Sequence, residues 1–545
     1  MTTNNPDATI AAFSQGETGL SVAQIEQVAN QLFAALPGAA DNGALGFVPP
    51  ALAPQAEAHP RAFACAARLA DLSGQAGRIA ADALTASNVQ VQVQELFASF
   101  PQPQVKLTPA ATEPPGFYFL EEIPAFAKAL QPAAAAPSPS AFDVRAVRRD
   151  FPILQERVNG RPLVWLDNAA TTQKPQSVID RISYFYQHEN SNIHRAAHEL
   201  AARATDAYEG ARNTVARFIN AAASEEIVFV RGATEAINLV AQSWGRQHLG
   251  KDDEIVITWL EHHANIVPWQ QLCQITGARL RVAPVDDQGQ IILEAYEKLL
   301  NPRTRLVAFT QVSNALGTVT PAREMIALAR RHGARVLVDA AQSVAHLRVD
   351  VQALDCDWLV FSGHKIFGPT GIGVLYGKRE LLNATQPWQG GGNMIEDVTF
   401  EQTRYHQAPA RFEAGTGNIA DAVGLAAALD YVQALGLEAI GQYEHELLTY
   451  ATHVLQDIHG LRLVGTAADK ASVLSFVLAG FSTVEVGTAL NKEGIAVRSG
   501  HHCAQPILRR FGLESTVRPS LAFYNTYEEI DLLASALRRL KAGGR

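Results

Sequence analysis

The sequence predicts an α/β fold whose core is a mostly parallel, doubly wound sheet, and three observations lead there. From Phe142 onward, short β-rich runs alternate with amphipathic helical stretches. The most polar and chemically unusual tripeptides stand where those runs end, the place where open α/β sheets gather functional residues. The composition changes near residue 140, which sets the preceding segment apart from the fold.

A chain of 545 residues is too long for one compact core, so two or more domains are expected. Hydrophobic content of 47% and charged content of 18% suit a globular protein, and a net charge of −9 gives no reason to expect nucleic acid or an anionic membrane as partner. No apolar run approaches the ~18 residues of a membrane span. MTTNNPDATIAAF lacks the basic and apolar regions of a secretory signal. Cys65, Cys273, Cys356 and Cys503 are scattered, with neither metal-ligand nor disulfide-framework spacing. A cytoplasmic chain with reduced thiols is expected, in which a special cysteine would be special for its reactivity.

Residues 1–141 read as an Ala/Pro-rich, largely disordered extension. The first 140 residues hold 15 of the 27 prolines, 5 of the 45 Lys plus Arg and 11 acidic residues, hence −6 of the net charge. Such a composition buries too little apolar surface to offset its ordering entropy. Short patterned patches interrupt it. Ser21 to Leu36 places Val22, Ile25, Val28, Ala29, Leu32 and Phe33 on one helical face, with Ser21 and Gln24 as a capping box and Pro37-Gly38 as the stop. Stretches 61–84, 89–97 and 116–130 are further candidates, and QPAAAAPSPS at 131–140 is linker-like. Two readings stay open: a passive tail, or a tether carrying short motifs for a partner.

Candidate strands are Ile227–Val230, Glu254–Thr258, Leu306–Thr310, Val336–Val338 and Trp358–Phe361. After the first, RGATEAINLV starts a helix near Thr234. Amides of Gly232 and Ala233 with the Thr234 hydroxyl would face an anion there, or Thr234 is a plain cap. After Val338 come Asp339 and Gln342. A carboxylate at a strand end is usually a helix cap, and it can also pair with a protonated pyridine nitrogen. In FSGHKIFGPTGIGVLYG, Lys365 lies between an apolar strand and a glycine-rich loop, flanked by Ser362 and His364. A surface lysine needs no such setting, whereas a Schiff-base lysine must be neutral, desolvated and aimed.

VRGATEAINLV, EHHANIVPW, QVSNALGT, VDAAQSV, FSGHKIFGPTGIG, RFEAGTGN and AVRSGHHCAQP occur in this order, and the stretch from Phe142 to the C-terminus resembles the group II (Suf-type) cysteine desulfurases of the class-V aminotransferase-like enzymes. The resemblance implies the fold-type-I transferase fold. A large domain over 142–430 would hold pyridoxal 5'-phosphate on a seven-stranded, mostly parallel sheet, with 142–162 packing on a smaller α/β domain over 431–545. It also implies roles. Lys365 would link covalently to the cofactor, Asp339 would keep the pyridine nitrogen protonated, and Gln342 would bond the phenolic oxygen. His262 would stack on the ring and act as acid or base. Ala233, Thr234, Ser362 and His364 would hold the phosphate, with Thr416 reaching across from a second subunit of a homodimer. The family often has two threonines where this chain reads Ala233-Thr234, a loss of at most one hydroxyl contact. Arg518 would grip the substrate carboxylate bidentately, Asn314 would support cofactor and substrate, and Arg498 and His194 would lie near the substrate. For Asn314 a turn role stays open, for Arg498 and His194 a structural one, and His263 reads as a packed neighbour.

Cys503 decides the implied activity, which converts L-cysteine to L-alanine and leaves a persulfide on the thiol. It follows a strand-like run and two histidines, and precedes a proline that favours an extended loop. Arg498 or a protonated histidine nearby would favour its thiolate. The other cysteines fit inert thiols better. The alternatives are a selenocysteine lyase or another fold-type-I enzyme, since selenocysteine eliminates without a catalytic thiol. A Suf-type sulfur-acceptor protein and iron–sulfur cluster assembly are the implied destinations of the sulfur. The extension resembles those of cysteine desulfurases that are cargo of family 2 encapsulin shells. That implies a shell partner through residues 1–141 and a protein nanocompartment.

Overall fold

The structure is a computed structural model, and it describes residues 142–193 and 198–543. The patterned patches at 21–36, 61–84, 89–97 and 116–130, Cys65 and His194 lie outside the described residues.

Seven strands form the main sheet: β1 (Ile227–Val230), β2 (Glu254–Thr258), β3 (Arg279–Ala283), β4 (Thr304–Thr310), β5 (Arg335–Asp339), β6 (Trp358–Ser362) and β7 (Gly373–Gly377). Their order is β1-β7-β6-β5-β4-β2-β3. Only β7 runs against its neighbours, β1 and β6. The other pairings are parallel. Apolar residues run continuously along the central strands because both faces are covered. Val307, Phe309, Val336, Val338, Leu359 and Phe361 enter one core. Their neighbours Leu306, Ala308, Leu337, Trp358 and Val360 enter the other. At the edge, β3 exposes Arg279 and turns half-buried Arg281 toward Glu254 on β2, at 2.7 Å.

All five expected strands keep their type with ends shifted by at most two residues, and β4 begins at Thr304 because Thr304 is buried and pairs with Glu254. One expectation changes. The glycine-rich stretch after Lys365 is not loop throughout, since its last five residues are β7. Glycine is needed there for contact. A Cβ on Gly373 would stand 2.4 Å from the Cα of Gly232, so two bare backbones meet where β1 ends.

A second, antiparallel sheet contains β8 (Leu461–Val464), β9 (Ser475–Leu478), β10 (Arg498–Gly500) and β11 (Thr516–Arg518), in the order β8-β9-β11-β10. Position 430 sits inside the helix Ile419–Leu435, and that helix ends at Gly436, whose φ of 86° needs glycine, before the helix Leu437–Gln456 begins. Phe142 stacks on Tyr443 at 5.0 Å, and Phe151 meets Tyr524 edge-on at 4.8 Å. The strand Val164–Trp165 pairs in parallel with Ile495–Ala496. Residues 142–165 are thereby fastened to the C-terminal segment. Among the described residues no single helix is long and apolar enough to cross a membrane.

Candidate active site

Five strand-to-helix junctions of the main sheet and one loop of the small sheet open on a single cavity of about 210 Å³. Its walls include Ala233, Thr234, His262, Asn314, Asp339, Gln342, Ser362, His364, Lys365, Arg498, Cys503 and Arg518. Twelve of the fourteen side chains singled out from the sequence are therefore brought together. Of the other two, His194 lies outside the described residues, and Thr416 is exposed in a separate cleft of about 610 Å³.

Lys365 ends a 3-10 turn, Gly363–Lys365, that leaves β6. Gly363 permits the turn, because a Cβ would come within 2.8 Å of Ile372 and 3.1 Å of the Pro369 carbonyl. Burial lowers the proton affinity of the Lys365 amine, while the Asp339 charge opposes that shift and Arg518 and Arg498 assist it. Burial likewise raises the Asp339 carboxyl, against the Ala341 N–H and the Lys365 charge. One Asp339 oxygen accepts the Ala341 N–H at 2.9 Å, so the carboxylate caps the following turn and still lines the cavity. The cap and the cavity readings coexist.

Gln342 donates one N–H to the Ala169 carbonyl at 2.8 Å, which orients the amide and leaves a second N–H on the same nitrogen. The His262 Nδ1 accepts the Ala264 N–H at 3.0 Å, placing the proton of the neutral ring on Nε2. Burial, then Lys365 and its other cationic neighbours, push His262 down to about 3. Asn314 donates to the His502 carbonyl at 2.6 Å, and its Oδ1 is buried without a partner.

Two details depart from the sequence reading. The Ala233 amide does not stand free for an anion, because it donates to the Ser362 hydroxyl at 2.9 Å. That bond pins Ser362 to the N-terminus of the helix Ala233–Val240, leaving the exposed Thr234 and the Ser362 hydroxyl hydrogen for an anion. The expected protonated histidine near Cys503 is disfavoured at His502 and His263. Burial and the charges of Arg518 and Arg498 push His502 down to about 3, and burial with His501 lowers His263. Arg498 lines the same cavity.

Arg518 ends β11 with 2% of its surface exposed. It donates to the Asn314 carbonyl at 2.9 Å and to Asp167 at 3.0 Å, while its Nε is buried without a partner. Asp167 also lies 4.0 Å from Arg498. It is the residue the sequence reading missed: burial raises its carboxyl against the pull of both arginines. An acid directly after the apolar run LVWL was the available signal.

Cys503 follows β10 on a loop where His502 and Cys503 have φ of 53° and 54°. Each such conformation costs a side-chained residue about 1–3 kcal/mol, so the surroundings must impose it. Pro506 does not extend this loop; it opens the helix Gln505–Arg510, where a residue without an N–H costs nothing. The half-buried thiol lines the cavity with Lys365 and Arg518. Cys356, by contrast, is fully buried, which pushes its thiol up to about 12.

These residues fit pyridoxal phosphate on their own chemistry. A desolvated lysine faces a buried carboxylate, a helix N-terminus with two hydroxyls lies beside them, and buried Asn314 and Arg518 atoms await partners.

Comparison with known proteins agrees. The aminotransferase class-V family matches residues 164–533. A cysteine desulfurase of Synechococcus elongatus is 76% identical over 402 residues, which are 74% of this chain and 64% of that one, so the chain spans under two thirds of this relative's length. A cysteine desulfurase of Salmonella agona is 53% identical, covering 73% of this chain and 98% of the relative. The crystal structure of the cysteine desulfurase CsdA of Escherichia coli superposes with a TM-score of 0.69 at 40% identity, covering 74% of this chain and 99% of that one.

Proposed function

The chain belongs to the class-V aminotransferase family, whose matched relatives are cysteine desulfurases, and from that premise we propose that it takes sulfur from L-cysteine and leaves it as a persulfide on Cys503. The observation that carries this reading is that the Cys503 thiol and the buried Lys365 amine open on one cavity with Asp339 and Arg518. The cofactor is pyridoxal 5'-phosphate, which when bound supplies an electron sink for the substrate Cα. Lys365 would hold it covalently, and its Nζ would move the Cα proton. Asp339 would keep the pyridine nitrogen protonated, and the remaining N–H of Gln342 would serve the phenolic oxygen. His262, neutral with its proton on Nε2, would pack against the cofactor ring. Thr234, Ser362 and His364 take the phosphate. The partnerless Arg518 Nε and its neighbouring N–H groups grip the substrate carboxylate, with Arg498 beside them and Asn314 Oδ1 supporting the bound groups.

The sulfur step balances within the chain. The Cys503 thiolate forms the S–S bond, the substrate Cβ–S bond breaks, its electron pair returns to the carbon skeleton, and proton gain releases alanine. Incubation of the full-length enzyme with L-cysteine should add one sulfur to the peptide bearing Cys503, detected by mass spectrometry, with alanine released once per sulfur. Alanine formation with an unmodified Cys503 would overturn the reading, and selenocysteine turnover alone would favour the lyase.

We read 142–430 as the cofactor-holding part and 431–545 as the part that presents the cysteine. Thr416 lies in a cleft away from its own cavity, which supports a homodimer in which it completes the partner's phosphate site. Light scattering tests this, and a stable, active monomer would refute it. Residues 1–141 keep the reading of a tether carrying short motifs for a partner or a shell, with a passive extension as the alternative, carried only by their low charge and isolated apolar patches. Deleting them should leave cysteine turnover within a few-fold and abolish partner recovery.

A further inference from the structure

We propose that His263 and His501 form a clasp that positions Cys503 for attack on the substrate sulfur, each ring accepting a backbone N–H of the cysteine loop. The inference rests on the reading of Cys503 as sulfur acceptor. The two histidines come from different sheets. His263 begins the 3-10 turn His263–Asn265, reached from the carboxyl end of β2, and His501 lies on the loop after β10. The His263 backbone N–H donates to the Cys503 carbonyl at 2.8 Å, and its ring Nε2 accepts the Gln505 N–H at 3.3 Å. The His501 Nδ1 accepts the N–H of Cys503 itself at 3.1 Å. The rings lie 5.9 Å apart and 29° from parallel, so each restrains the other.

These bonds answer a specific need. His502 and Cys503 stand in the left-handed region, which residues with side chains leave unless held. Asn314 holds the His502 carbonyl from one side, the His501 ring holds the Cys503 N–H, the His263 backbone N–H holds the Cys503 carbonyl, and the His263 ring holds the Gln505 N–H two residues on. Relaxation of that backbone would swing the thiol away from the cavity. The bonds also fix the tautomers, with the His263 proton on Nδ1 and the His501 proton on Nε2, since each accepting nitrogen must be bare. Burial and the neighbouring His501 both disfavour a charged His263, in keeping with an acceptor role. Neither ring is core: His501 is exposed and His263 half-buried, so their removal leaves the apolar packing intact.

The test uses the full-length holoenzyme and four variants. An amide oxygen in His263→Gln falls near the place of Nε2, and in His501→Asn near that of Nδ1, so both keep an acceptor; His263→Leu and His501→Leu do not. Single-turnover persulfide formation on Cys503 is read by mass spectrometry, beside the cysteine-induced change in cofactor absorbance and the KM for cysteine. The leucine variants should slow persulfide formation at least tenfold with absorbance change and KM kept, and the amide variants should recover most of the rate. Wild-type persulfide rates in the leucine variants, or no recovery in the amide variants, overturn the clasp. Loss of the absorbance change together with the persulfide marks a merely structural role and overturns it too. Cys503→Ser runs in parallel. If that variant still desulfurates cysteine, the acceptor reading falls and the clasp falls with it, whereas an inactive Cys503→Ser beside a fully active His263→Leu refutes the clasp alone.

Discussion

The cavity has two unlike walls. The wall bearing Lys365 is built from carboxyl ends of regular strands, with Asp339 capping a turn, Gln342 tied to Ala169 and Ser362 tied to Ala233. Its positions follow from sheet register, and apart from the Gln342 bond to Ala169 the polar atoms that orient it are bonded within one sheet and its junctions. The wall bearing Cys503 is a loop with two left-handed residues, held by groups reached from the other sheet, Asn314 and His263. The difference teaches a division of labour: a group that must stay fixed is mounted on ladder hydrogen bonds, and a group that must hand sulfur onward is mounted on a conformation that only its clamps sustain.

The largest test breaks the first wall alone. Lys365→Ala removes the covalent link and the proton-transfer amine together, so the visible absorbance of the bound cofactor should vanish and activity should fall by ~10⁴-fold or more. A yellow, active variant would contradict the assignment. Cys503→Ser breaks the second wall alone. Absorbance should match wild type while sulfide release from cysteine falls to background, because a hydroxyl carries no persulfide. Desulfuration at the wild-type rate would remove Cys503 from the chemistry.

Arg518→Lys touches both walls more gently. A point charge replaces a planar fork that also holds Asp167 and the Asn314 carbonyl, so the KM for cysteine should rise by about 10–100-fold with a smaller change in kcat. An unchanged KM would place the substrate carboxylate elsewhere.

Acid sharpens the comparison further. His502 is held at about 3 in the fold, well below the ~6.5 of an unfolded histidine. Between those values the unfolded chain binds a proton that the folded chain refuses, so stability falls as pH drops, by about 1.4 kcal/mol per pH unit for this group. Urea unfolding at pH 7 and pH 5 should show the loss, and His502→Gln should reduce it in part, since buried His262 and His364 are lowered too; an unchanged loss would mean His502 contributes nothing. The smallest effect is expected at Cys356. Its thiol is fully buried and pushed up to about 12, so Cys356→Ala should leave persulfide formation at the wild-type rate and cost about 1 kcal/mol through packing. Reduced sulfur transfer in that variant would make the second thiol a participant.

Much of this was legible in the sequence because it is local. Apolar runs such as IVFV and WLVFS must be buried strands, and the polar residues that end them must gather at one edge of a parallel sheet. Lys365, Asp339 and Gln342 sit within a few residues of such ends, so their convergence follows from strand direction. Tertiary structure decided what spans sheets. Asp167 faces Arg518 across 351 residues, and His263 meets the Cys503 loop across some 240, separations at which no spacing rule operates. The histidine charges were also undecidable in sequence: GHHC offers protonated neighbours to a thiol, and only burial beside Arg518 and Arg498 makes His502 refuse the proton. Residue order determined which strand-end groups face one edge of the sheet, since backbone periodicity is set by near neighbours, while the residues of the cysteine wall were expected only through the family resemblance. Their protonation and tautomers, and the strained shape of the cysteine loop, were set by desolvation and by bonds between distant segments, which exist only once the chain has folded.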